Sequence, residues 1–234
     1  MFLINPYILQ ASGNPLWNGL QAYYTADNTP NDALGTYNGT LTNGATYGTG
    51  IINQGFSFDG VNDYVNLGNV LDFDGSTPFT FNAWVNKSAS KFHSIISKQG
   101  SSPNFTGYNF RINQTGAGKL ELIVNNTAST DWIYCASTTS YTNGAYSMLT
   151  VTYNGSQDAN GVTFYINGVD AGLTITANSL TLSASNSNDC ILGAAPLGGN
   201  QYTNGLIDEV GVWNRELSSS EVTELYNSGA GLQY

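Results

Sequence analysis

Asn-Gly and Asp-Gly dipeptides punctuate this chain at Asn38-Gly39, Asn43-Gly44, Asp59-Gly60, Asp74-Gly75, Asn143-Gly144, Asn154-Gly155, Asn167-Gly168 and Asn204-Gly205. Both members of each pair tolerate positive φ, so the pairs favour tight turns between strands. A chain interrupted this often has little room for long helices. The segments between the turns are short and either alternate or are wholly apolar. They predict strands near residues 20–25, 55–58, 63–67, 78–86, 92–98, 107–113, 118–124, 145–153, 161–167, 169–176, 189–193 and 205–214. Phe79, Phe81, Ala83 and Val85, for example, alternate with Thr80, Asn82 and Trp84.

One helix is expected near the C-terminus. Ser218 caps it, Glu221 completes a capping box, and Val222, Leu225 and Tyr226 share a face. Asn227 and Gly229 end it. Many strands, one short helix and no alternation of strand with helix imply antiparallel sheets packed face to face. The expected fold is therefore an all-β sandwich: a single domain over residues 19–234, preceded by an irregular arm, residues 1–18, that carries Pro6 and Pro15.

Charge narrows the function. The chain has 29 Asn but only 6 Lys and Arg, and its net charge is −10. Six scattered cations cannot track a phosphate backbone or an anionic membrane, so neither nucleic acid nor a membrane surface is an expected partner. No apolar run reaches the roughly 18 residues of a transmembrane helix. The start, Met1 to Tyr7, lacks a basic segment, and Asn5-Pro6 interrupts its apolar stretch, so no signal peptide is expected. Without a CxxC pattern zinc is not indicated, and Cys135 and Cys190 are open to one disulfide or two buried thiols.

Four stretches carry a resemblance: Gly19–Tyr24, Gln54–Val65, Phe79–Val85, and Gly205–Ser218 with its Ile207-Asp208-Glu209 core. With the Phe164-Tyr165-Ile166-Asn167-Gly168 hairpin, their order and spacing resemble the concanavalin A-like (laminin G-like, pentraxin-related) jelly-roll family. That family hosts lectins, glycan-binding modules, adhesion domains and glycosidases, so the resemblance implies a fold more strongly than a function. The opening Ile4-Asn5-Pro6-Tyr7 also resembles the start of small virion proteins of tailed bacteriophages.

Catalysis finds little support. Glycosidases need two carboxylates about 5–10 Å apart, and the E-x-D-x-E run that serves this in family glucanases is missing. Asp208 and Glu209 are adjacent, which on a regular strand sends them to opposite faces. The single His93 has no nucleophile elbow to serve, and a structural role is expected of it. No enzymatic activity is expected. The loops matching the pentraxin calcium site, 99–107 and 194–204, carry no acid. The resemblance instead implies a structural calcium held by Asp27 and Asp208, with Asp32 nearby.

Glycan contact would use aromatic rings that stack on sugar faces, with amides for the hydroxyls. Trp84 and Trp213 lie in the shared motifs and are expected in the core. Trp132, Tyr134, Tyr108 and Tyr202 are the candidate platforms, with Asn104 and Asn200 beside them. The expected function is a non-catalytic carbohydrate-binding or adhesion module shown on a phage virion or another extracellular surface. Its partners would be cell-surface glycans, virion proteins and copies of itself. The alternative is a structural virion protein whose arm and sandwich mediate assembly.

Overall fold

The computed structural model describes residues 14–87, 92–103, 105–113, 118–127, 130–195 and 201–233. Two antiparallel sheets face each other. The first runs in the order β13 (Val169–Asp170), β12 (Val162–Ile166), β11 (Ser147–Tyr153), β6 (Phe79–Lys87), β18 (Asn204–Trp213), β4 (Gln54–Asp59) and β3 (Thr46–Thr49). Strand β1 (Leu20–Tyr24) also pairs with β18. The second sheet runs β14 (Thr174–Asn178), β10 (Asp131–Ser140), β9 (Lys119–Thr127), β8 (Gly107–Ile112), β7 (His93–Ser97), β15 (Cys190–Leu192), β5 (Tyr64–Gly68) and β2 (Thr40–Thr42). A small hairpin of β16 (Ala194–Ala195) and β17 (Gln201–Tyr202) links the second sheet to β18.

Alternation fills the space between the sheets. Phe79, Phe81, Ala83 and Val85 of β6 meet Tyr108, Phe110 and Ile112 of β8 and Leu120, Leu122 and Val124 of β9 in one buried cluster. Phe79 and Phe81 stack with ring centres 4.6 Å apart, and Tyr108 lies 5.1 Å from Phe81. A second apolar layer covers the outer face of the first sheet. Trp84, Trp213, Tyr23 and Met148 are buried there beneath the helix α1 (Ser219–Tyr226) and the segment carrying Leu16.

The helix forms where expected, with Ser218 and Glu221 making a reciprocal capping box and Asn227 ending it in the left-handed region. Residues 14–18, assigned to the arm, are fastened to the sandwich. Leu16 is fully buried, its carbonyl accepts from Trp213 Nε1 at 2.7 Å, and Arg215 Nε donates to Asn18 O at 2.6 Å. The rest of the arm lies outside the described residues.

The cysteines are two free, buried thiols. Cys135 on β10 and Cys190 on β15 are separated by four strand spacings, roughly 19 Å at about 4.8 Å each, too far for a disulfide. Burial pushes the two thiols up, to about 12 and about 11. No helix of the described residues is long and apolar enough to cross a membrane.

Candidate functional site: the outer face of the second sheet

The pleat that sends Tyr108, Phe110 and Ile112 inward turns Asn109, Arg111 and Asn113 outward. The same alternation on β9 and β10 presents Glu121, Trp132 and Tyr134 on that outer face. Trp132 and Tyr134 are half-buried, two residues apart on β10, with ring centres 5.3 Å apart and planes 33° off parallel. They form a partly solvent-facing aromatic step.

Beside the step lies a buried polar network. Glu121 accepts from Arg111 Nε at 2.7 Å, from Asn113 Nδ2 at 2.9 Å and from Tyr134 Oη at 2.9 Å. The Arg111 guanidinium lies 4.6 Å from the centre of the Phe92 ring. Arg111 and Glu121 are both buried, so each charge depends on the other. Burial, reinforced by the Glu121 charge, raises the Tyr134 hydroxyl above its ordinary value. A second network follows across the sheet. Asn109 Nδ2 donates to Gln99 Oε1 at 3.3 Å and to Gln201 Oε1 at 3.2 Å, while its Oδ1 accepts from Ser94 Oγ at 2.8 Å. Gln201, from the β16–β17 hairpin, thus reaches onto the face of β8.

The structure therefore unites Trp132 with Tyr134 and disperses the other sugar candidates. Tyr108 is fully buried between the sheets and donates to Leu71 O at 2.8 Å, so its ring has no surface to offer a sugar. Its place in the alternation Tyr108, Phe110, Ile112 explains this. Tyr202 is half-buried on β17, next to Gln201. Asn104 and Asn200 lie outside the described residues. Glu121, Arg111, Asn113 and Asn109 were not singled out from sequence. Their signal was an Arg and a Glu, rare in this chain, on two neighbouring strands whose alternate residues are core.

The acids implied for calcium divide as well. Asp32 is buried and accepts backbone N–H groups from Tyr23, Leu34, Thr36 and Tyr37, so it is a loop cap. Asp27 and Asp208 do come together, over the outer face of the first sheet. Asp208 accepts from the amides of Ile51, Ile52 and Glu209, and Asp27 from the Gln54 amide at 3.0 Å and Asn53 Nδ2 at 3.1 Å. Glu209 joins them, contrary to the opposite-face expectation. A bulge in β18 places Glu209 at φ 49, and this left-handed residue turns its side chain to the side of Asp208. Glu209 accepts from the Tyr23 hydroxyl, and Gln233 Nε2 donates to Glu209 at 3.1 Å and to Asp27 at 3.4 Å.

Burial raises Asp208 to about 7 and Glu209 to about 8 against the hydrogen bonds that each accepts; the Asp27 charge adds to the rise of Asp208, and the Asp208 charge, then that of Asp27, to the rise of Glu209. Gly50 packs so tightly here that a Cβ would collide with the Asp208 carboxylate and the Gln54 backbone. Among the described residues no set of three His, Cys, Asp or Glu side chains is arranged to hold a metal ion. His93 is buried and its Nδ1 accepts from the Asn204 amide at 3.1 Å, a structural role.

The concanavalin A-like lectin/glucanase superfamily model matches residues 59–223. The chain belongs to this superfamily. Among solved structures it is similar to domain 4 of AbnA, an extracellular arabinanase from Geobacillus stearothermophilus, in complex with arabinotriose. That match has 19% identity, covers 88% of this chain and 97% of that one, and has a TM-score of 0.63. It is also similar to botulinum neurotoxin type C (17% identity, 93% of this chain and 52% of that one, TM-score 0.62), whose cell entry depends on interaction with two ganglioside molecules. A heptameric SAP-like pentraxin from Limulus polyphemus matches at 16% identity over 73% of this chain and 80% of that one, TM-score 0.53. Enzyme-associated chains occur too, among them a Trypanosoma rangeli sialidase mutant. No curated protein matches in sequence. At these identities the likenesses show the fold alone.

Proposed function

We propose that this member of the superfamily is a non-catalytic carbohydrate-binding module that holds glycan against the outer face of its second sheet. The observation that carries the reading is the partly exposed Trp132–Tyr134 step beside the Glu121–Arg111–Asn113 network. A ring step offers the apolar face that a sugar ring stacks on, and the Glu121 network beside it holds the Tyr134 ring in place through its hydroxyl. The likeness to an arabinotriose-bound domain supports the same reading. Non-catalysis is supported by the burial of Asp208 and Glu209, two of the three acids that converge there, at 0% and 1% exposure.

A glycan array tests this. Saturable binding is expected, and Trp132→Ala should weaken it about tenfold, the equivalent of roughly 1.4 kcal/mol, while circular dichroism stays unchanged. Binding to no glycan would transfer support to the assembly reading, in which the chain is a structural virion component. Display on a virion rests on the resemblance of the opening residues alone. Negative-stain labelling of phage particles with an antibody to this chain checks it.

Calcium at Asp27 and Asp208 belongs to the same proposal, supported by carboxylates that converge despite their repulsion. A divalent cation there would neutralise them and tie the 50–54 loop to β18. Such binding requires ionised carboxylates. Calcium added to EDTA-treated protein should therefore raise the melting temperature at pH 8 and leave it nearly unchanged at pH 5. No shift at either pH would remove the ion from the account.

A further inference from the structure

The same outer face carries a cleft at its far end. Tyr64 and Asn66 of β5, Ser97 of β7, Ile191 of β15, Gln99 and Asn188 line a cleft of about 430 Å³, with Asp189 at its edge. Asn66 Nδ2 donates to Asp189 Oδ2 at 2.9 Å, which orients that carboxylate. Asn66 and Asp189 also border a neighbouring cleft that carries Thr40 and Thr42. Five strand spacings separate β10 from β5, roughly 24 Å at about 4.8 Å each, and the buried Asn109–Gln99–Gln201 amides fill the ground between.

We propose that this cleft is a second glycan subsite, and that it takes an uncharged sugar. It rests on the reading of the chain as a glycan binder and adds a place and a ligand class. The lining is amides, hydroxyls, one half-buried tyrosine ring and one carboxylate. Amides and hydroxyls both donate and accept, which suits a polyol. Tyr64 and Ile191 supply an apolar wall. The carboxylate repels anionic ligands. Lys98, next to the lining residue Gln99, is buried, and its ammonium donates to Asn69 Oδ1 and Asn188 O, so it supports the cleft from within and does not face a ligand. Burial lowers the Lys98 ammonium, while Asp72 and Asp189 oppose that shift.

The test is a nitrogen-15 NMR titration of the full chain. The probes are glucose, galactose, N-acetylglucosamine and arabinotriose, with sialyllactose as the anionic comparison. The proposal expects saturable shifts at Tyr64, Asn66 and Asn188 with a neutral probe. Tyr64→Ala should weaken that response about tenfold and leave the response around Trp132 unchanged. Shifts confined to Trp132 and Tyr134 would overturn the second subsite and leave the proposed function standing. Stronger shifts in the cleft with sialyllactose would overturn the ligand class. No response anywhere would overturn both readings.

Discussion

Glu121→Ala is expected to destabilise the fold by about 3–5 kcal/mol, the usual consequence of stranding one member of a buried ion pair. The Arg111 side chain is 10% exposed and that of Glu121 is 4% exposed, so water cannot replace the lost partner. Asn113 and Tyr134 lose their acceptor at the same time. At about 2–4 °C per kcal/mol for a chain of this size, the melting temperature should fall by roughly 10 °C. Replacing both members with apolar residues, Arg111→Met with Glu121→Leu, should recover much of the loss. Urea unfolding midpoints of the three proteins decide it. A Glu121→Ala protein within about 1 kcal/mol of the parent, the usual worth of an exposed pair, would mean that the pair is solvated in solution.

The second large effect is a loss of stability with rising pH, measured in EDTA so that no cation intervenes. In an unfolded chain Asp and Glu titrate near about 4. In the fold, Asp208 is raised to about 7 and Glu209 to about 8. Below pH ~4 both states hold these protons, and the contribution to stability is fully present. As pH rises, the unfolded chain releases its protons first, so the contribution is lost progressively until pH passes the folded values. Between pH 5 and pH 8.5 the loss should reach a few kcal/mol, or roughly 10 °C in melting temperature. Glu209→Gln removes one of the two titrations and should flatten the curve, because a neutral amide still occupies the place beside Tyr23 and Gln233. A pH-independent melting temperature in the parent protein would show that both carboxylates reach water.

Much of this architecture is legible in the sequence because it depends on local rules. Asn43-Gly44 and Asn167-Gly168 turn between strands that do form, whereas Asn204-Gly205 opens strand β18, and Ser218, Glu221 and Asn227 delimit the helix as cap chemistry requires. Strand β10 is the instructive omission. Ile133, Cys135 and Ser137 alternate with Trp132, Tyr134 and Ala136, a period of two, but a cysteine and a serine on the inward side weaken the apolar signal. That strand carries the aromatic step, so the candidate residues were visible while their shared platform was not. Tyr108 shows the opposite error. It alternates with Phe110 and Ile112 on β8, a period of two that puts it in the core and not on the sugar platform expected of it. The union of Asp208 with Glu209 had no local signal. It depends on a bulge whose left-handed residue is a glutamate, held by Tyr23 and Gln233 from distant parts of the chain.

The docking of both described chain ends has a consequence for orientation. Leu16 is buried and Leu232 packs in the layer that covers the first sheet, on the side opposite Trp132, Tyr134 and the Tyr64 cleft. Leu16 and Leu232 thus share one side of the sandwich, and the Trp132–Tyr134 step and the Tyr64 cleft lie on the other.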